Sequence, residues 1–446
     1  MLTTKPDVRG RAKDPAADEV AGSRQRIILR GPPLSLLSDF RALDRRVYIL
    51  AIARLVVTLG FSAVLPYLAV TLHRERGVPS VIVGAIWTLG GLSGAAMQWV
   101  AGEVADRVGR RPILLGAMAL RTVNLIALGY EILHQGPVPI IAALFVLNGI
   151  LRAFFDPVAA AMVADLAASQ HRIAAFSLQR FGLNIGWVLG SASMGITNAL
   201  HIPYGQVFYI SAGITLAATV AASFIVETRA ISTDAARPRT PFRLSDLGIY
   251  WQDRRFMRFL FATFLFFLLQ AQLYAPLSIY AADHLHMSLA DVSHLYTVNG
   301  FIVVLLQLPA FYLIRHIGTH KVLVVGALSY AIAYALCGLA VKEWHLLVFV
   351  GLITLAEIIS SPAQQTAATG MAPSERIGAY AGLYGLTQAA GQSFGPLVGT
   401  SLLDVLPDRV TWPLLGLFGI AAMLLYRKLN RTLGMAPENQ TASVGP

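Results

Sequence analysis

The chain has 446 residues, 56% hydrophobic and only 13% charged, with a mean hydropathy of +0.61. Soluble domains carry about a quarter charged residues, so the composition excludes a soluble globular protein of this length and indicates a polytopic membrane protein. The net charge of +11 does not indicate a nucleic-acid partner, because its distribution follows membrane topology.

In chain order, residues 1 to about 35 mix Pro, Gly and both signs of charge without periodicity, as expected of a disordered tail. Asp7, Asp14, Asp18 and Glu19 are scattered among the bases and no apolar run precedes Tyr48, which argues against a cleavable targeting peptide. Residues 36–46 are expected to form a short basic interfacial helix. A membrane span needs about 20 apolar residues, which places helices near 48–72, 80–101, 112–132, 138–164, 174–199 and 206–226. Six more are expected near 257–282, 291–314, 321–341, 345–370, 378–402 and 410–427. The fold class is therefore all-α, with twelve transmembrane helices in two pseudo-symmetric six-helix bundles. The division is a cytosolic tail at 1–47, bundles at 48–226 and 257–428, a linker at 227–256 and a second tail at 429–446.

Charge supports both the count and the orientation. Ten of the 35 Lys and Arg precede Tyr48 and seven lie between Arg229 and Arg258. With twelve spans, the external loops hold only Arg74, Arg76, Lys342 and Arg409, so both termini are expected in the cytosol of an inner-membrane protein. The lone Cys337 excludes an intrachain disulfide, a redox pair and a cysteine zinc site.

The halves read as a duplication. Leu147 to Pro157, with Arg152 and Asp156, aligns with Leu352 to Pro362, with Glu357, at a constant offset of 205. Ser169-Gln-His-Arg172-Ile173 recurs as Ser374-Glu-Arg376-Ile377, and the glycines of Gly186-Trp-Val-Leu-Gly190 recur in Gly391 to Gly399. Two such halves suggest alternating access around a site near the bilayer midplane.

The stretch from Gly102 to Pro112 interrupts the apolar pattern with Asp106, Arg107, Arg110 and Arg111. An unpaired charge at mid-bilayer costs about 2.5–3.5 kcal/mol on the more lenient scale, so the stretch is expected to be a cytosolic loop. Gly102 is expected to let the second and eleventh helices approach, Gly109 to permit a tight turn, and Asp106 to cap the next helix. Asp165 is the best-placed acceptor for the arginines. The alternative is that Arg107, Arg110 and Arg111 serve only as topology determinants.

These residues carry a resemblance. Gly102, Asp106, Arg107, Gly109, Arg110 and Arg111 match the Gly-x-x-x-Asp-Arg-x-Gly-Arg-Arg loop of major facilitator superfamily transporters. Leu59-Gly-Phe-Ser-Ala-Val-Leu-Pro66 resembles the first-helix signature of the drug:proton antiporters. Phe155-Asp-Pro157, Asp253-Arg-Arg-Phe256 and Ile358-Ile-Ser-Ser-Pro-Ala363 resemble strings of the bacterial MdtH-type multidrug-resistance proteins. The resemblance spans roughly residues 40–430. It implies the major facilitator fold, a relay from the Gly102–Arg111 loop to the fourth helix that latches the outward-facing state, and efflux. The fifth helix, Gly182-x-x-x-Gly186-x-x-x-Gly190, lacks the Pro of the antiporter signature; that Pro, Pro396, occurs in the eleventh helix.

Inside the membrane, Arg152 and Glu357 occupy equivalent repeat positions in opposite halves and are expected to face each other. A buried carboxyl group near an arginine can take up and release a proton as its surroundings change, which nominates Glu357 as the proton carrier. The alternative pairs Arg152 with Asp156 one turn away. Arg54 either snorkels or lines the cavity; Arg121 and Arg180 read as packing arginines. Gln272, Asn148, Asn184 and Gln388 are expected to line the substrate cavity, Gln272 first, with Gln270, Asn299, Gln364 and Gln392 as further candidates. The chain is expected to act as a monomer in the lipid bilayer on a small-molecule substrate and protons. No cofactor is expected beyond the proton gradient as energy source. No zinc-hydrolase, ATP-binding or serine-elbow motif is present, so no enzyme is signalled. The leading reading is a proton-coupled exporter of lipophilic or amphipathic compounds; an importer or symporter of an organic solute and a lipid translocator remain as alternatives.

Overall fold

A computed structural model describes residues 40–168, 171–224, 252–373 and 376–429. Most of the expected linker, both tails and part of the expected interfacial helix lie outside the described residues, as does part of the Ser169 and Ser374 repeat.

Among the described residues, twelve long helical rods follow one another: α1 (Arg45–Ser62), α2 (Ser80–Val108), α3 (Arg110–Leu133), α4 (Val138–Leu166), α5 (Arg172–Ala199) and α6 (Tyr204–Ser223), then α7 (Arg254–Gln270), α8 (Leu289–Ile317), α9 (Thr319–Cys337), α10 (Glu343–Gly370), α11 (Ile377–Val405) and α12 (Asp408–Arg427). Two rods are broken in the same place. After α1 a 3-10 turn at Leu65–Tyr67, containing Pro66, leads into further helical turns ending at Glu75. After α7 a 3-10 turn at Ala271–Leu273 precedes a second segment, Ala275–Leu285, with Pro276 in its first turn. Proline lacks the N–H that would continue the ladder, so each rod changes register there. Pro157 and Pro362, the two ends of the repeat alignment, both sit inside long helices.

Ten rods are long and apolar enough to cross a bilayer. The other two, α5 and α11, are 28 and 29 residues long. Their glycines explain the dilution of apolar character. A Cβ at Gly186 would lie 2.5 Å from the Leu55 carbonyl oxygen of α1, and one at Gly395 would lie 2.6 Å from the Leu268 carbonyl oxygen of α7. Small residues let these backbones pack directly, α5 on α1 and α11 on α7. Large apolar side chains instead point outward, as with Leu120, Val123, Ile196 and Leu417, each more than half exposed; in a bilayer that exterior is solvated by lipid.

The Gly102–Pro112 stretch is not a loop. α2 continues through Val108 and α3 begins at Arg110, so the turn is the single residue Gly109, at φ 108°. Twenty-nine residues of helix span about 43 Å, more than the roughly 30 Å hydrocarbon core. The charges therefore ride on a protruding helix whose backbone is already hydrogen-bonded. Gly318, at φ 87°, makes the equivalent turn between α8 and α9. At the first rod, Asp44 is the N-cap and its carboxylate accepts from the Arg46 N–H at 2.8 Å; the Arg46 guanidinium beside it holds its carboxyl below the usual carboxylate range.

Each half packs on itself, and the halves meet along two seams, α2 with α11 and α5 with α8. The α2–α11 seam is tight at one end: Thr88 donates to the Ser393 carbonyl at 2.7 Å, and a Cβ at Gly84 would lie 2.8 Å from the Pro396 carbonyl oxygen. At that end Asp404 accepts from the hydroxyl of Ser80 and from the backbone N–H of Val81, the latter at 2.9 Å. Asp283, after α7, pairs with His73 at 2.8 Å and Arg74 at 3.3 Å. Towards the Gly109 end the seam parts. A Cβ at Gly102, Gly382 or Gly385 would meet nothing within 4 Å. The bundle is thus closed at the Asp404 end and open at the Gly109 end, and Gly102 makes no close approach to α11 here.

Candidate functional site

Two polar clusters sit on opposite halves, one among α1, α3 and α4 and the other beside the α7 break. In the first half, Asp156 lies one residue before Pro157. Helical spacing sets Arg152 on the same face, Nε to Oδ2 3.3 Å, and α1 contributes Arg54, Nη1 to Oδ1 2.5 Å. Arg121 of α3 completes the group: it is only 3% exposed, and its Nη2 is buried without a hydrogen-bond partner among the described residues. Phe61 binds the cluster together, its ring centroid 5.4 Å from the Arg152 guanidinium carbon and 5.7 Å from that of Arg121.

In the second half, Gln392 of α11 donates to Gln270 at 3.1 Å, and Gln270 donates to the Glu357 carboxylate at 2.9 Å. Asn299 of α8 donates to Thr354, one turn from Glu357, at 2.8 Å. Arg180 of α5 lies within electrostatic reach of Glu357. Its Nε and Nη2 donate to the Gln307 side-chain oxygen at 2.7 and 2.6 Å when that amide is oriented to satisfy it. Aromatic rings join the halves on the closed side: Phe61 to Trp187 at 5.7 Å, Trp187 to Tyr274 at 6.0 Å and Tyr274 to Tyr296 at 6.5 Å between centroids. Tyr274 is within electrostatic reach of both Arg152 and Glu357.

The expected site residues fare differently. Arg152 and Glu357 do not pair; Arg152 takes Asp156, and Glu357 takes a neutral amide. Arg54 joins the cluster instead of snorkelling out. Gln272 does not line a cavity: it is fully buried, and its amide donates to the Leu268 and Gly395 carbonyls at 2.8 and 2.9 Å, pinning α7 to α11. Asn148 is likewise buried, with 1% exposure. Asn184 lies on the α5–α8 seam, 3.0 Å from Gln307, and Gln388 is half-buried on α11. Gln364 is buried and donates to the Tyr426 hydroxyl.

At the Gly109 turn, Arg110 pairs with Asp165 and donates to the Ala161 carbonyl at 3.0 Å, Arg107 pairs with Glu103 at 2.5 Å, and Arg111 donates to the Ser223 carbonyl at 2.5 Å. All of these contacts stay within the first half, so none of them ties the two halves together. The side chain of Asp106 lies outside the described residues. Sequence reading missed the membership of Arg121 and Arg180 in the two clusters, the aromatic row, and the ties made by Asp283 and Asp404. The signal available for the arginines was their number: more than one turn from the ends of the expected spans, Arg54, Arg121, Arg152 and Arg180 face only Asp156 and Glu357.

Two pseudo-symmetric helical bundles with charged groups at mid-depth, closed at one end and open at the other, define a membrane transporter. The chain belongs to the Major Facilitator Superfamily, whose family model matches residues 50–282 and 260–443. It is 26% identical to the multidrug resistance protein MdtH of Proteus mirabilis over 406 residues, 89% of this chain and 98% of that protein. Identity to the Cronobacter sakazakii MdtH is also 26%, covering 88% and 95%. Among solved structures, the nucleoside transporter NupG superposes with a TM-score of 0.71 at 12% identity, covering 86% of this chain and 99% of that one. A D-xylose-proton symporter superposes at 0.68 with 14% identity, covering 87% and 98%.

Proposed function

We propose that this chain is a secondary active exporter of lipophilic or amphipathic small molecules, coupled to the proton gradient by alternating access, with Glu357 as the proton carrier. It works as a monomer in the inner membrane, with twelve spans, both termini in the cytosol and bundles at residues 48–226 and 257–428. The basic residues gather at the Gly109 end, which makes that end cytosolic and the conformation inward-open. The observation that carries the reading is the Glu357 environment: a carboxyl group held by Gln270, with Arg180 in reach and the Asp156 cluster on the opposite bundle. Such a group changes proton occupancy when the bundles rock and its solvent access changes. In the outward-facing state Glu357 takes a proton as the compound leaves. In the inward-open state it loses that proton to the cytosol, and the cavity accepts the next molecule.

The direction of transport rests on the relatives named multidrug resistance proteins. Everted membrane vesicles with an imposed acid-inside gradient test it, using a panel of lipophilic dyes and arylalkyl acids with and without an uncoupler. Gradient-driven accumulation that the uncoupler and E357Q both abolish is the expected result. Accumulation unaffected by both overturns the coupling, and gradient-driven uptake confined to right-side-out vesicles makes the protein an importer.

A further inference from the structure

We propose that the first-half cluster is a recognition site for an anionic group, so that the amphiphiles carried bear a carboxylate or phosphate and not an amine. This deepens the function proposed above and rests on the cavity between the bundles being the substrate site.

The charges deep in the spans do not balance. More than one turn from the ends of the expected spans, four guanidinium groups, Arg54, Arg121, Arg152 and Arg180, face two carboxylates, Asp156 and Glu357. Asp156 is already shared by Arg54 and Arg152. Among the described residues Arg121 makes no ion pair, and its Nη2 is buried without a partner in a residue only 3% exposed. Charged residues inside membranes normally pair with one another or with backbone carbonyls. The cation–π contacts of Arg121 and Arg152 with Phe61 offset only part of that cost.

Arg152 remains half-exposed, its side chain 54% accessible, and only its Nε is engaged by Asp156, which leaves its other donors open to an incoming anion. A guanidinium fork binds a carboxylate or phosphate through paired donors, and the low dielectric strengthens the contact. Phe61 packs against Arg121 and Arg152 and continues through Trp187 to Tyr274 as an aromatic row, suited to the tail of the same molecule.

The test is isothermal titration of the full chain in lipid nanodiscs at pH 7.5, against empty nanodiscs. The probes are 4-phenylbutyrate, 4-phenylbutyl phosphate, 4-phenylbutanol, 4-phenylbutylammonium and inorganic phosphate. The two organic acids are expected to bind at least about ten-fold more tightly than the alcohol and the amine, as one charge-assisted hydrogen bond supplies. R152Q, at an accessible position, is expected to remove about ten-fold from the acids and leave the alcohol unchanged. D156N removes the competing carboxylate and is expected to tighten the acids, a gain that a purely structural role for Asp156 does not produce. Equal binding of the amine or alcohol overturns the proposal, and so do variants that shift all probes alike. Inorganic phosphate binding as tightly as the phosphate ester reduces the site to an ion site and overturns the substrate class. Binding needs no gradient, so loss of anion preference with intact gradient-driven transport overturns this proposal alone, and the converse overturns only proton coupling.

Discussion

Asp404 is the sharpest handle on the conformation. α2 starts at Ser80 behind Pro79, which offers no side-chain cap, so the first N–H groups of that helix would be orphaned. A carboxylate from α11, in the other half, takes one of them: Asp404 accepts from the Val81 N–H at 2.9 Å and also from the Ser80 hydroxyl. Hydrogen bonds to a charged group contribute about 1.5–3 kcal/mol, and an anion at a helix N-terminus about 0.3–1 kcal/mol. Allowing for partial exposure, D404A should cost the closed Asp404 end about 2 kcal/mol, a shift of roughly 30-fold in the balance of conformations. Spin labels at Val108 of α2 and Leu386 of α11, 61% and 62% exposed near the open end, report it by pulsed dipolar spectroscopy. Opening the Asp404 end brings the labelled ends together, so D404A should gain a short-distance population in a Cys337→Ser background. A distance distribution unchanged from the wild type would refute the tie.

Other outcomes follow from the packing. Q272L should lower stability by about 1–3 kcal/mol, the cost of leaving the Leu268 and Gly395 carbonyls without their shared donor, and should leave apparent substrate affinity unchanged; thermal unfolding and transport titrations separate the two. G186V places its side chain against the Leu55 carbonyl oxygen and should abolish folded expression, whereas G213A, with nothing within 4 Å of its Cβ, should express normally by size-exclusion profile. R110Q should loosen only the first half, lowering its protection in hydrogen exchange near Asp165 without opening the Asp404 end. Cys337, fully buried, should resist a maleimide until the protein is denatured.

The rods were legible because about 20 apolar residues are required of any span, and that pattern survives without knowledge of partners. The duplication was legible through Pro157 and Pro362, whose backbone consequences are local. Side-chain partnership was not. Gln270 and Gln272 are two residues apart and chemically identical, yet the 3-10 turn at Ala271–Leu273 sends one to Glu357 and the other into α11. Arg121 has the same apolar flanks as a packing arginine; only α1 and α4 around it reveal a charge cluster. The Gly102–Pro112 stretch misled because charge excludes a segment from the hydrocarbon core but does not end a helix. Asp404 serves Val81 across 323 residues, a pairing that no local pattern encodes.

The central claim is that Glu357 carries the proton that drives transport. Purified wild-type and E357Q protein in proteoliposomes, given the same pH gradient and the same panel of dyes and arylalkyl acids, test it most directly when gradient-driven accumulation and gradient-free exchange are measured side by side. E357Q should keep exchange, because the bundles still rock and the cavity still binds, and should lose accumulation. Accumulation by E357Q at the wild-type rate under a pH gradient would contradict the claim.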